Sequence, residues 1–152
     1  MNEQRYKLPV SVLVVVHTPD LQVLLLERAD RPGFWQSVTG SQNEGESLAG
    51  TAVRELKEET GLDAAQFVLT DWQVKNQFEI YPHWRHRYAQ GVTQNTEHVF
   101  GLQVHQPSQV TLASAEHVRY EWLPWRAAAD RVFSWSNAEA IRELPRRCAP
   151  GP

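Results

Sequence analysis

The segment Arg54-Glu55-Leu56-Lys57-Glu58-Glu59 places three carboxylates within five positions. Successive helical residues turn by about 100°, so in a helix Glu55 and Glu59 stand one turn apart, with Glu58 beside them. Like charges at that spacing weaken an isolated helix by roughly 0.2–0.5 kcal/mol per pair. An agent outside the chain must offset them, most simply a divalent cation. Hard ions such as Mg2+ take oxygen ligands and share them with substrate phosphates. The chemistry that follows is metal-assisted attack of water on a phosphoanhydride. The plain alternative is a solvated helix face, because charge runs are mostly surface. The wider stretch Gly40 to Leu62 adds Glu44 and Glu46, with Asp63 just beyond, against two bases, Arg54 and Lys57. Both bases are expected to point away from the acidic stripe, with Arg54 paired to Glu58 or reaching back to Glu46.

Several elements must position this segment. Ser47 is a good N-cap and Gly61 a good stop, which bounds a helix between them. Leu48, Ala49, Ala52, Val53 and Leu56 recur at helical spacing and predict its buried stripe. Upstream, the β-branched run Val10 to Thr18 and the run Leu21 to Arg28 read as buried strands joined at Pro19-Asp20. Ala29 to Gly33 is a loop, and Phe34 to Gly40 a short strand that leads into the acidic stretch. Downstream, Gln66 to Tyr81 alternates as a strand and Pro82 to Thr96 reads as a long polar loop, basic at its start. Glu97 to His105 is another strand, Gln106 to Ser114 a connector, and Glu116 to Pro124 an alternating segment with Tyr120 and Trp122 on one face. A final helix starts near Asn137. The order β-β-β-α-β-β-β-α lacks a regular βαβ repeat and predicts an α/β fold with a mixed sheet.

The composition sets outer bounds. The 152 residues amount to one domain, residues 1–152, with a tail expected to fray from about 146. A net charge of -3 argues against a general nucleic-acid binder. The single cysteine, Cys148, cannot form an internal disulfide, and the polar opening lacks a signal-peptide layout, so a cytoplasmic protein is expected. The apolar run Val10 to Val16 is far short of the roughly 20 residues that span a bilayer. Six tryptophans leave open whether rings pack the core or grip a flat heterocycle. Oligomeric state stays open.

Gly40, five residues, Glu46, seven residues, then Arg54-Glu55-Leu56-x-Glu58-Glu59-x-Gly61-Leu62 resembles the Nudix box, with every defining position filled. The resemblance implies an α/β/α sandwich with a central mixed sheet, the box forming a loop-helix-loop. It also implies hydrolysis of a nucleoside diphosphate linked to another moiety, with Mg2+ or, as a substitute, Mn2+. By the family's pattern Glu55 and Glu59 are metal ligands, Glu58 a further or water-mediated one, and Arg54 orients Glu55. Glu55, Arg54 and Glu58 form the catalytic group, while Glu46 braces the loop and Gly40 and Gly61 shape it.

The flanks carry the substrate. Many members enter the box through Pro-Gly-Gly, but this chain has FWQSVTGS (Phe34 to Ser41). That departure, with His86 to Glu97, Glu116 to Trp122, Ser134 to Asn137 and the opening from Tyr6, is similar to the family's bacterial dihydroneopterin triphosphate pyrophosphohydrolase branch. The likeness runs from about Tyr6 to Ile141. It implies release of pyrophosphate from 7,8-dihydroneopterin triphosphate in folate biosynthesis, with dATP and other (d)NTPs as further substrates. Lys7 and Arg28, at strand ends, and Thr39, just before the box glycine, are the expected substrate contacts. Phe78, Glu79, Ile80 and Tyr81 are expected to line the base pocket, with Ser134 a further contact. Glu97, Glu116 and Glu121 are the candidates for a carboxylate from outside the helix; the branch pattern selects Glu116 as extra ligand or base. Competing readings are a general (d)NTP pyrophosphatase, a hydrolase of ADP-sugars or RNA 5′ ends, and a non-catalytic nucleotide sensor. The last typically loses box carboxylates, all of which are kept here.

Overall fold

A computed structural model describes residues 6–148. Its first strand, β1 (Val10–His17), explains why the opening runs are apolar without alternation. Val12, Val14 and Val16 enter one core cluster, and Leu13 and Val15 enter another on the opposite side. Side chains alternate across a strand, so a strand covered on both faces is apolar throughout.

β1 is parallel to β6 (Gln94–Gln103), with Val14 opposite Phe100. It is antiparallel to β4 (Val38–Ser41), with Val12 opposite Gly40, and meets β2 (Gln22–Arg28) only at His17 and Val23. β2 in turn pairs β3 (Trp35–Gln36) and β7 (His117–Pro124), and β5 (Val68–Glu79) closes the far edge against β6. The result is one mixed seven-stranded sheet. Helix α1 (Leu48–Thr60) supplies Ala52 and Leu56 to one face, where Tyr120 and Trp122 of β7 also pack. Helices α2 (Trp125–Arg131), α3 (Trp135–Arg142) and α4 (Leu144–Arg147) cover the other with Ala128, Ile141 and Leu144. This is the α/β/α arrangement.

Several boundaries differ from expectation. Phe34 to Gly40 is not one strand: a break at Ser37 sends β3 to β2 and β4 to β1. β5 carries a bulge between Asp71 and Val74, with Gln73 at φ 58. The polar stretch Pro82 to Thr96 is not all loop, since Pro82–Arg87 forms a 3-10 turn and β6 already begins at Gln94. Proline fixes the φ that opens such a turn. α2, in a segment without strong helical punctuation, is an additional helix. α3 begins two residues early because Ser134, not a later residue, accepts the capping bond from the Asn137 N–H. Arg146 and Arg147 are helical rather than frayed, and residues 149–152 lie outside the described residues. No helix among the described residues is long and apolar enough to cross a membrane.

Candidate active site

Ser47 Oγ accepts from the Gly50 N–H at 2.9 Å to start α1, and Gly61, at φ 76, ends it by donating to Lys57 O. The buried side of the helix is Thr51, Ala52, Glu55, Leu56, Glu59 and Thr60. Val53 and Ala49 are therefore not part of the buried stripe; Val53 is 42% exposed. The docked face is rotated toward the acids. Glu55 and Glu59 point inward, 8% and 1% exposed, whereas the Glu58 side chain is 53% exposed at the rim. The three carboxylates do not share one environment.

Arg54 does not point away. Its Nε and one terminal nitrogen donate to the two oxygens of Glu46 at 2.8 and 3.0 Å. Other contacts reach Glu55 at 2.7 Å, Glu58 at 3.2 Å and Ser41 O at 2.9 Å. A planar guanidinium with five donors is suited to such a junction. The Arg54 bond holds the Glu46 carboxyl down at about 2, and Glu46 in return raises Arg54. Glu46 also accepts from Thr51 Oγ1 and the Asn43 N–H, tying the box loop to the helix. Gly40 lies so close that an ideal Cβ there would stand 2.0 Å from the carboxyl carbon of Glu55. Only a glycine leaves the Glu55 carboxylate in this place.

Both oxygens of Glu59 are buried without a hydrogen-bond partner. Burial first, then the Glu55 and Glu116 carboxylates, push its pKa well above the ordinary range, against a smaller pull from the Thr39 backbone. Glu116 ends the turn before β7, and donor atoms of Glu59, Glu116 and His117 all lie within 4.8 Å of one another. A buried carboxylate without a close hydrogen-bond partner is costly to ionise unless a cation pairs with it. The donors of Glu59, Glu116 and His117 are thus close enough to share one divalent ion, with Glu55 next to Glu59 and Glu58 at the rim.

These acids sit at one side of a cleft of about 1520 Å³. Of the expected residues, Lys7, Arg28, Thr39, Glu55, Glu58, Phe78, Glu79, Ile80, Tyr81, Glu116 and Ser134 all line it, and the buried Glu59 lies beside its Glu116. Some are already engaged. The Thr39 hydroxyl donates to Val12 O at 2.9 Å, and Ser134 Oγ caps α3. Glu79 faces Arg85 at 3.8 Å. Glu121 lies apart, paired with Arg131 at 3.1 Å, and Glu97 is buried within the cleft wall with its pKa raised by that burial.

Part of the cleft lining is cationic and aromatic. Arg28 is held two-point by Asp30 at 2.8 Å, donates to Gln36 at 3.2 Å and lies 4.5 Å over the Trp84 ring. Arg87 approaches the same Asp30 at 3.7 Å, and the Lys7 N–H donates to Arg87 O. Burial and then the Arg87 charge lower the Lys7 pKa, opposed by Glu55. Tyr81, Trp84 and Phe133 cluster with ring centroids 5.3 to 6.3 Å apart. Asp30, Gln36, Trp84, Arg87, His117 and Phe133 are cleft residues that sequence reasoning had not singled out. The basic Pro82 to Tyr88 stretch signalled two of them; the others come from strands and turns with no local mark.

Residues 7–144 match the NUDIX domain. The chain belongs to the Nudix family. Nudix hydrolases are generally divalent-metal dependent, in keeping with the partnerless Glu59. Among its Nudix relatives, dihydroneopterin triphosphate diphosphatase of Escherichia coli K12 is 49% identical over 147 residues, spanning 95% of this chain and 97% of that protein. The Haemophilus influenzae protein of the same name is 41% identical over 142 residues, 91% of this chain and 89% of the relative. The solved E. coli dihydroneopterin triphosphate pyrophosphohydrolase superposes with a TM-score of 0.87 at 48% identity, covering 93% of this chain and 98% of that one.

Proposed function

We propose that this Nudix protein hydrolyses 7,8-dihydroneopterin triphosphate to the monophosphate and pyrophosphate, using Mg2+. The observation that carries the reaction is the buried, partnerless Glu59 carboxylate beside the cleft residues Glu116 and His117, in a cleft that also holds the Lys7, Arg28 and Arg87 cations. The substrate rests on the extended likeness to the E. coli and H. influenzae enzymes.

Glu55, Glu59 and Glu116 would hold the ion, with Glu58 joining from the rim; when bound, it neutralises phosphate charge and polarises the scissile anhydride. Arg54 fixes the Glu55 carboxylate at 2.7 Å, and Gly40 leaves room for it. Glu55 or Glu116 takes a proton from the attacking water. Lys7 and Arg28 bind phosphate oxygens by charge-assisted hydrogen bonds. Tyr81, Trp84 and Phe133 offer faces on which a pterin or purine can stack, and Glu79 can accept from its amino edge. Loss of pyrophosphate places the cut between the α and β phosphates. A purine fits the same ring cluster, so dATP and related triphosphates are secondary substrates. The product suits a cytoplasmic folate route.

Turnover of dihydroneopterin triphosphate beside dATP, ADP-ribose and a 5′-triphosphorylated RNA tests the substrate. The pterin should give the highest kcat/KM, and its being the poorest of the four would overturn the assignment. Glu55→Gln and Glu59→Gln should each abolish turnover without unfolding the chain. Full activity in both would overturn the metal site.

A further inference from the structure

His117 opens β7 beside Glu116, is 3% exposed, and lines the cleft. Its Nε2 stands 3.7 Å from Glu59 Oε1 and 3.3 Å from Gln36 Nε2. The Gln36 amide has a definite orientation, because Arg28 donates to its Oε1 at 3.2 Å. The amide nitrogen therefore faces His117, which makes Nε2 the acceptor and places the ring proton on Nδ1. Nε2 and Glu59 Oε1 stand 3.7 Å apart with no hydrogen bond between them, and neither Glu59 oxygen has a partner. A cation between them would give both atoms the partner that burial otherwise denies them.

Donor atoms of a single divalent ion lie about 2.0–2.6 Å from it, so two of them stand no more than about 5 Å apart. The donors of Glu59, Glu116 and His117 satisfy this, being within 4.8 Å of one another. We infer that His117 Nε2 is a ligand of the divalent ion, giving this centre one nitrogen among its carboxylates. The inference rests on the metal site proposed above. Ligation exchanges the long contact from Gln36 for a metal bond. Imidazole favours transition ions over Mg2+, so the nitrogen should tilt the site toward Mn2+ and Co2+ relative to an all-oxygen cage.

The test is electron spin echo spectroscopy of the full chain loaded with one equivalent of Mn2+. The expected result is modulation from one directly coupled 14N that changes to the 15N pattern when histidine is 15N-labelled. It should vanish in His117→Gln, where the Mn2+ Kd should weaken about 10-fold or more, the range that even outer partners of metal ligands produce. Isotope labelling of the wild type tests the ligand even if the variant folds poorly. Tight Mn2+ binding without coupled nitrogen, or coupling that survives in His117→Gln, would overturn the inference while leaving the carboxylate site standing. Absence of Mn2+ binding in the wild type would sink both.

Discussion

Replacing Gly40 by alanine separates the demands of the site from those of the fold. The added Cβ would lie 2.0 Å from the Glu55 carboxyl carbon and 2.4 Å from each oxygen, so reaching ordinary contact at 3.4 Å moves the carboxyl by about 1.4 Å. Gly40 is not among the residues at positive φ, so its backbone accepts alanine. The three nearest atoms all belong to the far end of a flexible side chain, the Glu55 carboxylate. The fold can yield at little cost, and alanine also narrows the unfolded ensemble, worth about 0.4–1 kcal/mol where the conformation is compatible. The site cannot yield so easily. A retreat of that size breaks the 2.7 Å Arg54 bond, a charge-assisted contact worth roughly 1.5–3 kcal/mol. It also displaces a metal ligand and candidate base, and a 1 Å misplacement can cost about 100-fold. Gly40→Ala should therefore lower kcat/KM by about 100-fold or more and weaken Mn2+ binding, while Tm shifts by only a few degrees. Pyrophosphate release, Mn2+ titration by electron paramagnetic resonance and a thermal melt read these three quantities. Gly45→Ala is the control: at φ 79, with no atom within 4 Å of the added carbon, it should cost stability and spare the Glu55 geometry. Wild-type turnover and Mn2+ affinity in Gly40→Ala would refute the reasoning.

Other perturbations follow from the same structure. Arg54→Lys keeps the charge but not the fork that reaches Glu46, Glu55 and Ser41 together, so kcat should fall about 100-fold with little rescue; steady-state kinetics decide, and near-wild-type kcat would refute it. Glu59→Gln puts a neutral amide of the same size where burial and acidic neighbours already drive the carboxyl toward its neutral form, so the metal-free protein should melt no lower than wild type. It should also lose the metal-induced gain of about 2.7 kcal/mol expected at 100-fold Kd, read by melts with and without Mg2+. His17 is 2% exposed, and burial lowers its pKa below the ordinary value. The unfolded chain then takes up the proton first, so its contribution is full above about pH 6.5 and declines as pH falls through the folded pKa. His17→Gln should flatten the loss of stability between pH 6.5 and 5 in urea titrations, and an unchanged slope would remove His17 as the cause. Leu56→Ala, a fully buried core position on α1, should cost about 2–5 kcal/mol in urea denaturation.

The acidic helix shows how far the sequence alone could reach. Ser47, Gly61 and the carboxylate spacing are local signals, and local backbone chemistry sets caps and element type, so the bounds of α1 and the family pattern could be read directly. The apolar runs of β1 and β2 likewise announced burial, since a strand covered on both faces has no polar side to display. The direction in which α1 faces was not local. Ala52 and Val53 are equally apolar, and docking against β4 decided that one is covered and the other solvated, which drew Glu55 and Glu59 inward and left Glu58 at the rim. The partnership of Glu59 with Glu116 and His117, and the pairing of Arg28 and Arg87 through Asp30, join residues far apart in the chain. Their proximity depends on β7 pairing with β2 and on β1 running parallel to β6, which no short-range spacing encodes. Sequence by itself determined the kind of chemistry and the helix that bears it. Tertiary structure decided which carboxylates are buried, which residues face them and where a substrate can lie, because burial and donor geometry are properties of packed surfaces.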